Sequence, residues 1–455
     1  MLKDAWTLAI ESLSWMEMHK LSERLALAKT VKQLGIEDAN AVRMAHMLVC
    51  ETVRRRNFID AFINHALQPQ SLSNFNFGVQ SFLRLYVYQT RIAKKWLKID
   101  VKEAENIAKL ARSILGWKTL RKVEHVLGFL LTQKPSVVLE DKGDEERVGL
   151  LTFHPTWFVK YCFKLLGRKK ALELLEANLQ SPPPYVRLNT LKGSETEILD
   201  KLAEEGVKLE KVEGIRYAYK VVSVEKPLTR TRSFHEGLFY IQDKASCFAA
   251  EVADPKPGMT VLDVCAAPGA KTTYLAQLMQ NRGAIYSVDY SKRRMSIWKS
   301  EIARMGVDVA QPVIADACSP LPLKIKADIV VLDPPCTSTG AFGKLPSAKW
   351  RLTRRSVDKM AEIQWKMLCN CAEKVKAGGK LVYSTCSITV EENEMLIERF
   401  LKRYPEFSLA EITLRIGLPG LRGLEECRRF YPHIHNCNGF FIAQMIKAMR
   451  ENLFE

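Results

Sequence analysis

The sequence lacks the long apolar run that a transmembrane helix requires. No stretch of about 18 consecutive apolar residues occurs in the chain, so we predict no membrane-spanning helix and no membrane partner. The N-terminal segment carries Asp4, Glu11 and Glu17 and has no small-residue cleavage site, so we do not expect it to be a signal peptide.

Cysteine pairs with the spacing of metal ligands are also missing. None of the 11 cysteines belongs to a Cys-x-x-Cys motif, and the closest pair, Cys369 and Cys371, has no histidine partner. The pattern therefore predicts neither a disulfide framework nor a structural zinc site, and we expect no metal. Unpaired cysteines are typical of a reducing compartment, so we expect a cytoplasmic protein.

Acidic residues are few relative to basic ones. The chain has 68 Lys and Arg against 51 Asp and Glu, a net charge of +17. Such an excess favours a polyanionic partner, either nucleic acid or an anionic membrane surface, with simple solubility as the alternative; of the two partners we expect nucleic acid and no membrane. It also disfavours self-association, so we expect a monomer. Because 47% of the residues are hydrophobic, the chain can form real cores and is not disordered.

The patterning divides the 455 residues into several segments. Residues 1–134 have apolar residues at three- and four-residue spacing, which predicts an all-helical domain. The stretch 135–149 combines a proline, glycines and an acidic run, and is typical of a linker. Residues 150–237 mix helix and strand patterns, which predicts a small α+β domain. In residues 238–455 short apolar runs alternate with helices, which predicts an α/β domain whose parallel sheet is covered on both faces.

Five apolar runs are the strand candidates of this last domain. They read TVLDVCA, AIYSVDY, VDVAQPVIADA, ADIVVLDPP and GGKLVYSTCS. Sheets of this kind bind ligands beyond the carboxyl ends of their strands. The residues that follow each run are therefore the candidate ligand-binding residues.

Three features indicate a nucleoside cofactor. A small-residue loop follows the first run and opens a helix, so its backbone can approach a ligand; its residues are Cys265, Ala266, Ala267, Pro268, Gly269, Ala270 and Lys271. Asp289 ends the next strand, where it can reach ribose hydroxyls. Asp316 follows a further strand and can accept from an adenine amino group. A tight turn or a helix cap explains any one of them alone. Because no Gly-x-Gly-x-x-Gly motif is present, S-adenosylmethionine is favoured over a dinucleotide.

Two cysteines follow the last two strand candidates. Cys336 ends the Asp-Pro-Pro-Cys motif that begins at Asp333, and Cys386 lies in Tyr-Ser-Thr-Cys-Ser. Pyrimidine ring carbons are barely nucleophilic. Methylation of cytosine at C5 therefore needs a thiolate added at C6 first, followed by methyl transfer, loss of the C5 proton and expulsion of the thiol.

The residues alone do not determine which of the two cysteines is the nucleophile. Either Cys336 or Cys386 could add to C6 while the other assists release. Asp333 could hydrogen-bond N3 or the exocyclic amine and stabilise the charge that develops. The alternative is a pair of inert buried cysteines, since cysteine is among the most buried residue types. Two thiols placed alike at strand ends, one beside Asp-Pro-Pro, favour catalysis.

These motifs are similar to those of a known family. VCAAPGAKTT, VDYS, ADA, LDPPCTSTG and YSTCS together resemble the RNA cytosine-5 methyltransferases of the RsmB/Nop/NSUN family. SPPPYVRLNTLK, FHPTWFVKY and LFYIQDKAS resemble the segments ahead of the catalytic part, and RRFYPHIHNCNGFFIA resembles its end. The resemblance implies a Rossmann-like class I methyltransferase domain, S-adenosylmethionine as cofactor and 5-methylcytosine in RNA as product.

The resemblance also implies residue roles. Cys386 is the implied nucleophile and Cys336 the implied aid to product release. The family's cofactor residues correspond to residues 265–271, Asp289, Asp316 and Asp333. One departure is Ala270, which stands where the family usually has a second glycine; a methyl group is tolerated there if φ is negative.

The N-terminal segment has a resemblance of its own. MLVCETVRRRNFIDAFINHAL and FLRLYVYQTRIA look like the NusB-type helical RNA-binding fold. This implies that residues 1–134 bind RNA, and it favours ribosomal RNA over transfer RNA as the substrate. The same chemistry on transfer RNA, and a non-catalytic RNA-binding ribosome-assembly factor, are the alternatives. A DNA methyltransferase is disfavoured by the paired cysteine motifs and the NusB-like segment.

A basic segment follows the Pro-Cys motif. Residues 344–359, KLPSAKWRLTRRSVDK, contain six Lys and Arg against one Asp. The basic side chains of such a segment can bind the RNA phosphates next to a cytosine that is flipped out of the base stack. Trp350 can stack on a base or pack in the protein, and packing is the favoured interpretation.

Overall fold

The computed structural model describes residues 1–96 and 99–449. The predicted helical and catalytic domains include residues 97–98 and 450–455 respectively, and these lie outside the described residues. The chain forms two compact units. One comprises Met1–Gln180 with Phe342–Thr353, and the other comprises Ser181–Ala341 with the residues from Arg354 onward.

The α-helices are α1 (Leu2–His19), α2 (Glu23–Leu34), α3 (Ala39–Arg54), α4 (Arg56–Leu67), α5 (Phe77–Val87), α6 (Val101–Leu115), α7 (Trp117–Leu120), α8 (Glu124–Thr132), α9 (Asp144–Leu151), α10 (Thr156–Ala177), α11 (Glu195–Glu204), α12 (Arg232–His235), α13 (Lys244–Ala253), α14 (Ala270–Leu278), α15 (Lys292–Met305), α16 (Ala348–Arg351), α17 (Arg354–Ala372), α18 (Glu394–Arg403) and α19 (Pro432–His435). Short 3-10 helices lie at Leu72–Asn74, Pro135–Val138 and Leu228–Arg230, and a π-helix lies at Tyr88–Ile92.

The strands are β1 (Tyr185–Leu188), β2 (Val207–Lys211), β3 (Ala218–Val224), β4 (Phe239–Ile241), β5 (Thr260–Val264), β6 (Ala284–Asp289), β7 (Ala310–Ile314), β8 (Ala327–Leu332), β9 (Val375–Thr385), β10 (Phe407–Leu409), β11 (Leu418–Pro419), β12 (Arg428–Phe430) and β13 (Phe440–Lys447).

The first unit is helical, as predicted for residues 1–134. Side chains at the helix starts satisfy free backbone N–H groups: Ser22 caps α2, Asp38 caps α3 and Asp100 caps α6. The apolar faces of α1 to α8 meet in one core, in which Trp6 and Phe62 are among the largest buried side chains. Burial of these faces, rather than helix propensity, stabilises the unit.

The predicted linker at 135–149 is wrong. Pro135–Val138 is a 3-10 helix, and residues from Asp144 onward form α9. The acidic run occupies the first turn of α9, where negative charge suits the helix dipole. Leu150 of α9 joins the core, so the helical unit extends past residue 134 and includes α10 up to Gln180.

A segment from far along the chain completes this unit. In Phe342–Thr353, Lys349 is fully buried, and its ammonium donates to the carbonyl oxygens of Arg54 at 3.0 Å and Phe153 at 2.8 Å. Lys349 therefore cannot contact RNA phosphates, contrary to the prediction for residues 344–359. Trp350 packs against the helical core and donates its indole N–H to a backbone carbonyl, which confirms the packing interpretation.

The second unit begins with a four-stranded antiparallel sheet. Its strand order is β2-β3-β1-β4, and the elements β1-α11-β2-β3-α12-β4 run in the order of a ferredoxin-like fold. Val186, Ile198 and Phe239 lie in the core that joins this sheet to α11. This confirms an α+β region, although its sheet starts at Tyr185 and α10 belongs to the helical unit.

The rest of the second unit is built on a larger sheet. Strands β7-β6-β5-β8-β9 are parallel neighbours in that order, and all five coincide with the predicted runs. Alternate residues face two separate cores, Val261 toward α13 to α15 and Leu262 toward α17 and α18. This Rossmann-like arrangement confirms the predicted α/β domain. The sequence did not predict the antiparallel strands β10 to β13, of which β13 pairs with β9.

Among the described residues, no helix combines the length and the apolar character needed to cross a membrane.

Candidate active site

The predicted site residues lie at one edge of the parallel sheet. The loop 265–271 follows β5, Asp289 ends β6, and Asp316 comes shortly after β7. Asp333 directly follows β8, and Cys386 directly follows β9. Because these strands are parallel neighbours, their carboxyl ends present the loop, the carboxylates and the thiol side by side.

Backbone conformation explains the small residues of the loop. Cys265 has φ 65° and Gly269 has φ 112°. A Cβ on Gly269 would lie 3.2 Å from Cδ1 of Trp298, so a larger residue would be strained there. Ala270 is the first residue of α14 and does not have a positive φ, so its methyl group is tolerated as predicted. The Cys265 thiol lies 4.0 Å from Sδ of Met367, and burial raises its pKa, so it is a packing group.

The two carboxylates predicted to bind the cofactor have different surroundings. Asp289 is 2% exposed and accepts from the backbone N–H of Ala267 at 3.3 Å and of Ser291 at 3.1 Å. It also pairs with Arg294 at 3.2 Å. Asp316 is exposed, and one of its oxygens accepts from the backbone N–H two residues further on. Asp289 therefore holds the loop 265–271 in place and also lines the edge of the parallel sheet, whereas the carboxylate of Asp316 is accessible to a ligand.

A buried cluster of side chains, which the sequence did not predict, packs under the loop 265–271 and supports it. Thr272 donates to Asp263 at 2.6 Å and accepts from the indole N–H of Trp298 at 3.0 Å. Burial raises the pKa of Asp263 to about 7. The cluster ties the end of β5 to α14 and α15, and so fixes the loop between them.

Asp333 is held by two side chains. Lys271 forms an ion pair with one of its oxygens, and Ser384 donates to the other at 3.2 Å. Burial disfavours the charge of Lys271, but the neighbouring carboxylate outweighs this and raises the pKa of Lys271. The sequence assigned Lys271 to the cofactor loop and did not predict that its ammonium pairs with Asp333.

The two thiols are in direct contact. Sγ of Cys336 lies 3.1 Å from Sγ of Cys386. The hydroxyl oxygen of Ser338 lies 3.4 Å from the Cys386 sulfur and 4.0 Å from the Cys336 sulfur. The hydrogen bond from Cys336 lowers the pKa of Cys386, while the same contact and burial raise the pKa of Cys336. The thiolate therefore forms first on Cys386. The Ser338 hydroxyl, which accepts from the Cys386 thiol at 3.4 Å and also lowers the pKa of Cys386, was not predicted from the sequence.

In the part of the chain that the structure describes, no group of three or more His, Cys, Asp or Glu side chains is arranged to hold a metal ion.

Known proteins are similar to this chain in sequence and in fold. The family model described as 16S rRNA methyltransferase RsmB/F matches residues 250–446, and the RsmF/B-like ferredoxin-like domain matches residues 154–227. A probable ribosomal RNA small subunit methyltransferase B of Bacillus subtilis (strain 168) is 31% identical over 458 residues, covering 97% of this chain and 98% of that protein. The chain belongs to the RsmB/F family of RNA cytosine-5 methyltransferases.

Solved structures agree with this membership. The crystal structure of PH0851 has a TM-score of 0.84 and 30% sequence identity, and the match covers 98% of this chain and 99% of that one. The crystal structure of NSun6 from Pyrococcus horikoshii with SFG has a TM-score of 0.60 and 26% identity, over 64% of this chain and 98% of that one. Members of the RsmB/F family use S-adenosylmethionine, as the sequence predicted.

Proposed function

We propose that this protein methylates C5 of a cytosine in ribosomal RNA through a covalent adduct between Cys386 and C6 of the base. The observation that carries the proposal is the thiol pair at the ends of β8 and β9. The sulfurs are 3.1 Å apart, and the contact favours a thiolate on Cys386. Addition to a pyrimidine requires a nucleophile and groups that stabilise the developing charge, and here these are a thiolate and a neighbouring carboxylate-ammonium pair.

We assign S-adenosylmethionine to the edge formed by the loop and the first two carboxylates. The small loop at the start of α14 lets backbone N–H groups approach the cofactor's carboxylate. Asp289 is placed for the ribose hydroxyls and Asp316 for the adenine amino group. When bound there, the cofactor supplies an electrophilic methyl group. The crystal structure of NSun6 from Pyrococcus horikoshii with SFG, an analogue of this cofactor, supports the assignment.

The chain's own residues carry the rest of the reaction. The Cys386 thiolate forms a bond to C6, and the electron pair displaced from the C5–C6 double bond makes C5 nucleophilic. Asp333, oriented by Lys271 and Ser384, hydrogen-bonds the N3 and amine edge of the base and stabilises the charge. After methyl transfer a base removes the C5 proton, the electron pair of the C5–H bond re-forms the C5–C6 double bond, and the thiolate is expelled from C6. Cys336 assists this last step.

The helical unit supports ribosomal RNA as the substrate class. We assign NusB-like RNA binding to residues 1–134, which form α1 to α8. The Bacillus subtilis relative, named as a ribosomal RNA small subunit methyltransferase, matches 97% of the chain and therefore includes this unit. We further propose that the protein acts as a monomer in the cytoplasm, where all 11 free cysteines stay reduced.

A covalent trap tests the proposal. Wild type, Cys336→Ala and Cys386→Ala are expressed, and protein–RNA adducts are sought on denaturing gels, followed by sequencing of the bound RNA. We expect only Cys336→Ala to retain RNA, because release is blocked while addition is not, and we expect that RNA to be ribosomal. Adducts on Cys386→Ala alone would reverse the two roles. If the adduct contains transfer RNA, then transfer RNA rather than ribosomal RNA is the substrate. If neither an adduct nor 5-methylcytosine forms, the protein is a non-catalytic RNA-binding factor.

A further inference from the structure

The carboxylate of Glu392 is buried between the two loops that carry the thiols. Its side chain is fully buried. One oxygen accepts from the backbone N–H of Thr337 at 2.9 Å and from the side-chain amide of Gln364 at 2.9 Å. The other oxygen accepts from the hydroxyl groups of Ser387 at 2.6 Å, Thr389 at 2.8 Å and Thr337. A single carboxylate is thus shared by five donors.

These donors lie next to both thiols. Thr337 directly follows Cys336, and Ser387 directly follows Cys386. The amide of Gln364 also donates to the carbonyl oxygen of the residue before Cys336, at 3.0 Å. Through these bonds Glu392 fixes the backbone on both sides of the Pro-Cys thiol and on one side of the Thr-Cys thiol.

The charge of Glu392 is balanced by hydrogen bonds alone. In the described part of the chain, no lysine, arginine or histidine forms an ion pair with it. A buried carboxylate is costly unless its lone pairs are satisfied, and here every donor comes from the thiol loops or from Gln364 of α17. Hydrogen bonds to a charged acceptor are roughly twice as strong as neutral ones, so the loops are held rigidly.

We propose that Glu392 is a positioning residue that sets the contact between Cys336 and Cys386. The inference rests on the roles proposed above for the two thiols. By holding the residues next to each cysteine on one acceptor, Glu392 keeps the release thiol within reach of the nucleophile. Without it, addition at C6 continues, but the adduct is resolved more slowly.

Phenylarsine oxide measures the thiol contact without RNA or cofactor. The reagent captures two adjacent thiols: two As–S bonds form, the As=O bond breaks, and both thiol protons leave with the oxygen as water. The bridge between Cys336 and Cys386 is identified by peptide mass spectrometry. The variants Cys336→Ala and Cys386→Ala cannot form this bridge, so they give the background of the mass-spectrometric measurement.

Glu392→Gln is the test variant and Glu394→Gln is its matched control. Glu394 is equally buried and lies on the same segment, but its carboxylate bonds Arg429 and the backbone N–H of Leu421 rather than the residues beside the thiols. Thr337→Val removes only one hydroxyl and serves as a second, milder variant in case Glu392→Gln does not fold.

We expect Glu392→Gln to weaken arsenical bridging by about tenfold, the effect of losing one strong hydrogen bond, while Glu394→Gln bridges like wild type. Thr337→Val should show a smaller loss in the same direction. Glu392→Gln should also raise the ratio of trapped RNA adduct to released product. Equal bridging by wild type and Glu392→Gln, or equal losses in Glu392→Gln and Glu394→Gln, would overturn the inference. Normal bridging in a wild type that does not methylate RNA would instead refute the proposed function.

Discussion

The contact between the two thiols predicts how Cys386 responds when Cys336 is removed. Cys386 has a lowered pKa because the Cys336 thiol, 3.1 Å away, donates a hydrogen bond to its sulfur. Cys336→Ala deletes this donor and leaves the hydrogen bond between Cys386 and Ser338, at 3.4 Å, in place. The thiolate is then less stabilised, so the pKa of Cys386 rises. Alkylation of Cys386 should therefore require a higher pH in the variant than in wild type.

The size of the effect follows from the lost hydrogen bond. A hydrogen bond to a charged group contributes about 1.5–3 kcal/mol, and a thiol is a weak donor, so the lower end applies. At a fixed pH below the midpoint, the thiolate fraction of Cys386 should thus fall by about tenfold. Cys336→Ser keeps an O–H donor in place and is expected to lie between wild type and Cys336→Ala.

The assay is the rate of iodoacetamide alkylation at Cys386, followed by peptide mass spectrometry across a range of pH. Cys318, which is half-buried outside the thiol pair, provides an internal reference in the same digest. A profile for Cys386 that is unchanged in Cys336→Ala, or that moves to lower pH, would refute the proposed thiolate stabilisation.

Three further predictions concern the other parts of the site and fold. Lys271→Met leaves Asp333 without its ammonium partner, so single-turnover methylation should slow on the order of a hundredfold, and an unchanged rate would contradict the role of the pair. Asp289→Ala should weaken S-adenosylmethionine binding by about tenfold in calorimetric titration, and unaltered affinity would remove Asp289 from the cofactor site. Lys349→Ala leaves two buried carbonyl groups without their donor and opens a cavity, so denaturant titration should show a loss of about 2–4 kcal/mol, whereas exposed Lys344→Ala should change little.

The sequence predicted the parts of the site that are local to a strand end. Asp289 and Cys386 each end an apolar run, and parallel neighbouring strands necessarily bring such residues to one edge. The residues themselves left open which of the two thiols attacks. That assignment came from the family resemblance, and the structure adds the asymmetry between the two pKa values.

The features that were missed depend on contacts between distant segments. Glu392 was not identified from the sequence, because its donors come from residues up to 55 positions away. The segment that contains Lys349 was predicted to bind RNA phosphates, because nothing local shows that the Lys349 ammonium donates to the carbonyl oxygens of Arg54 and Phe153. The acidic start of α9 looked like a linker, since charge alone does not reveal that Leu150 reaches a core.

The central claim is that Cys386 bonds to C6 of the target cytosine, and 5-fluorocytidine tests it most directly. Ribosomal RNA transcribed with this analogue is incubated with wild type and S-adenosylmethionine. Fluorine cannot leave C5 as a cation, so the reaction stops at the adduct. The account predicts a stable adduct whose peptide contains Cys386. An adduct on the Cys336 peptide, or 5-methylcytosine formation from ordinary RNA with no adduct on either peptide, would contradict it.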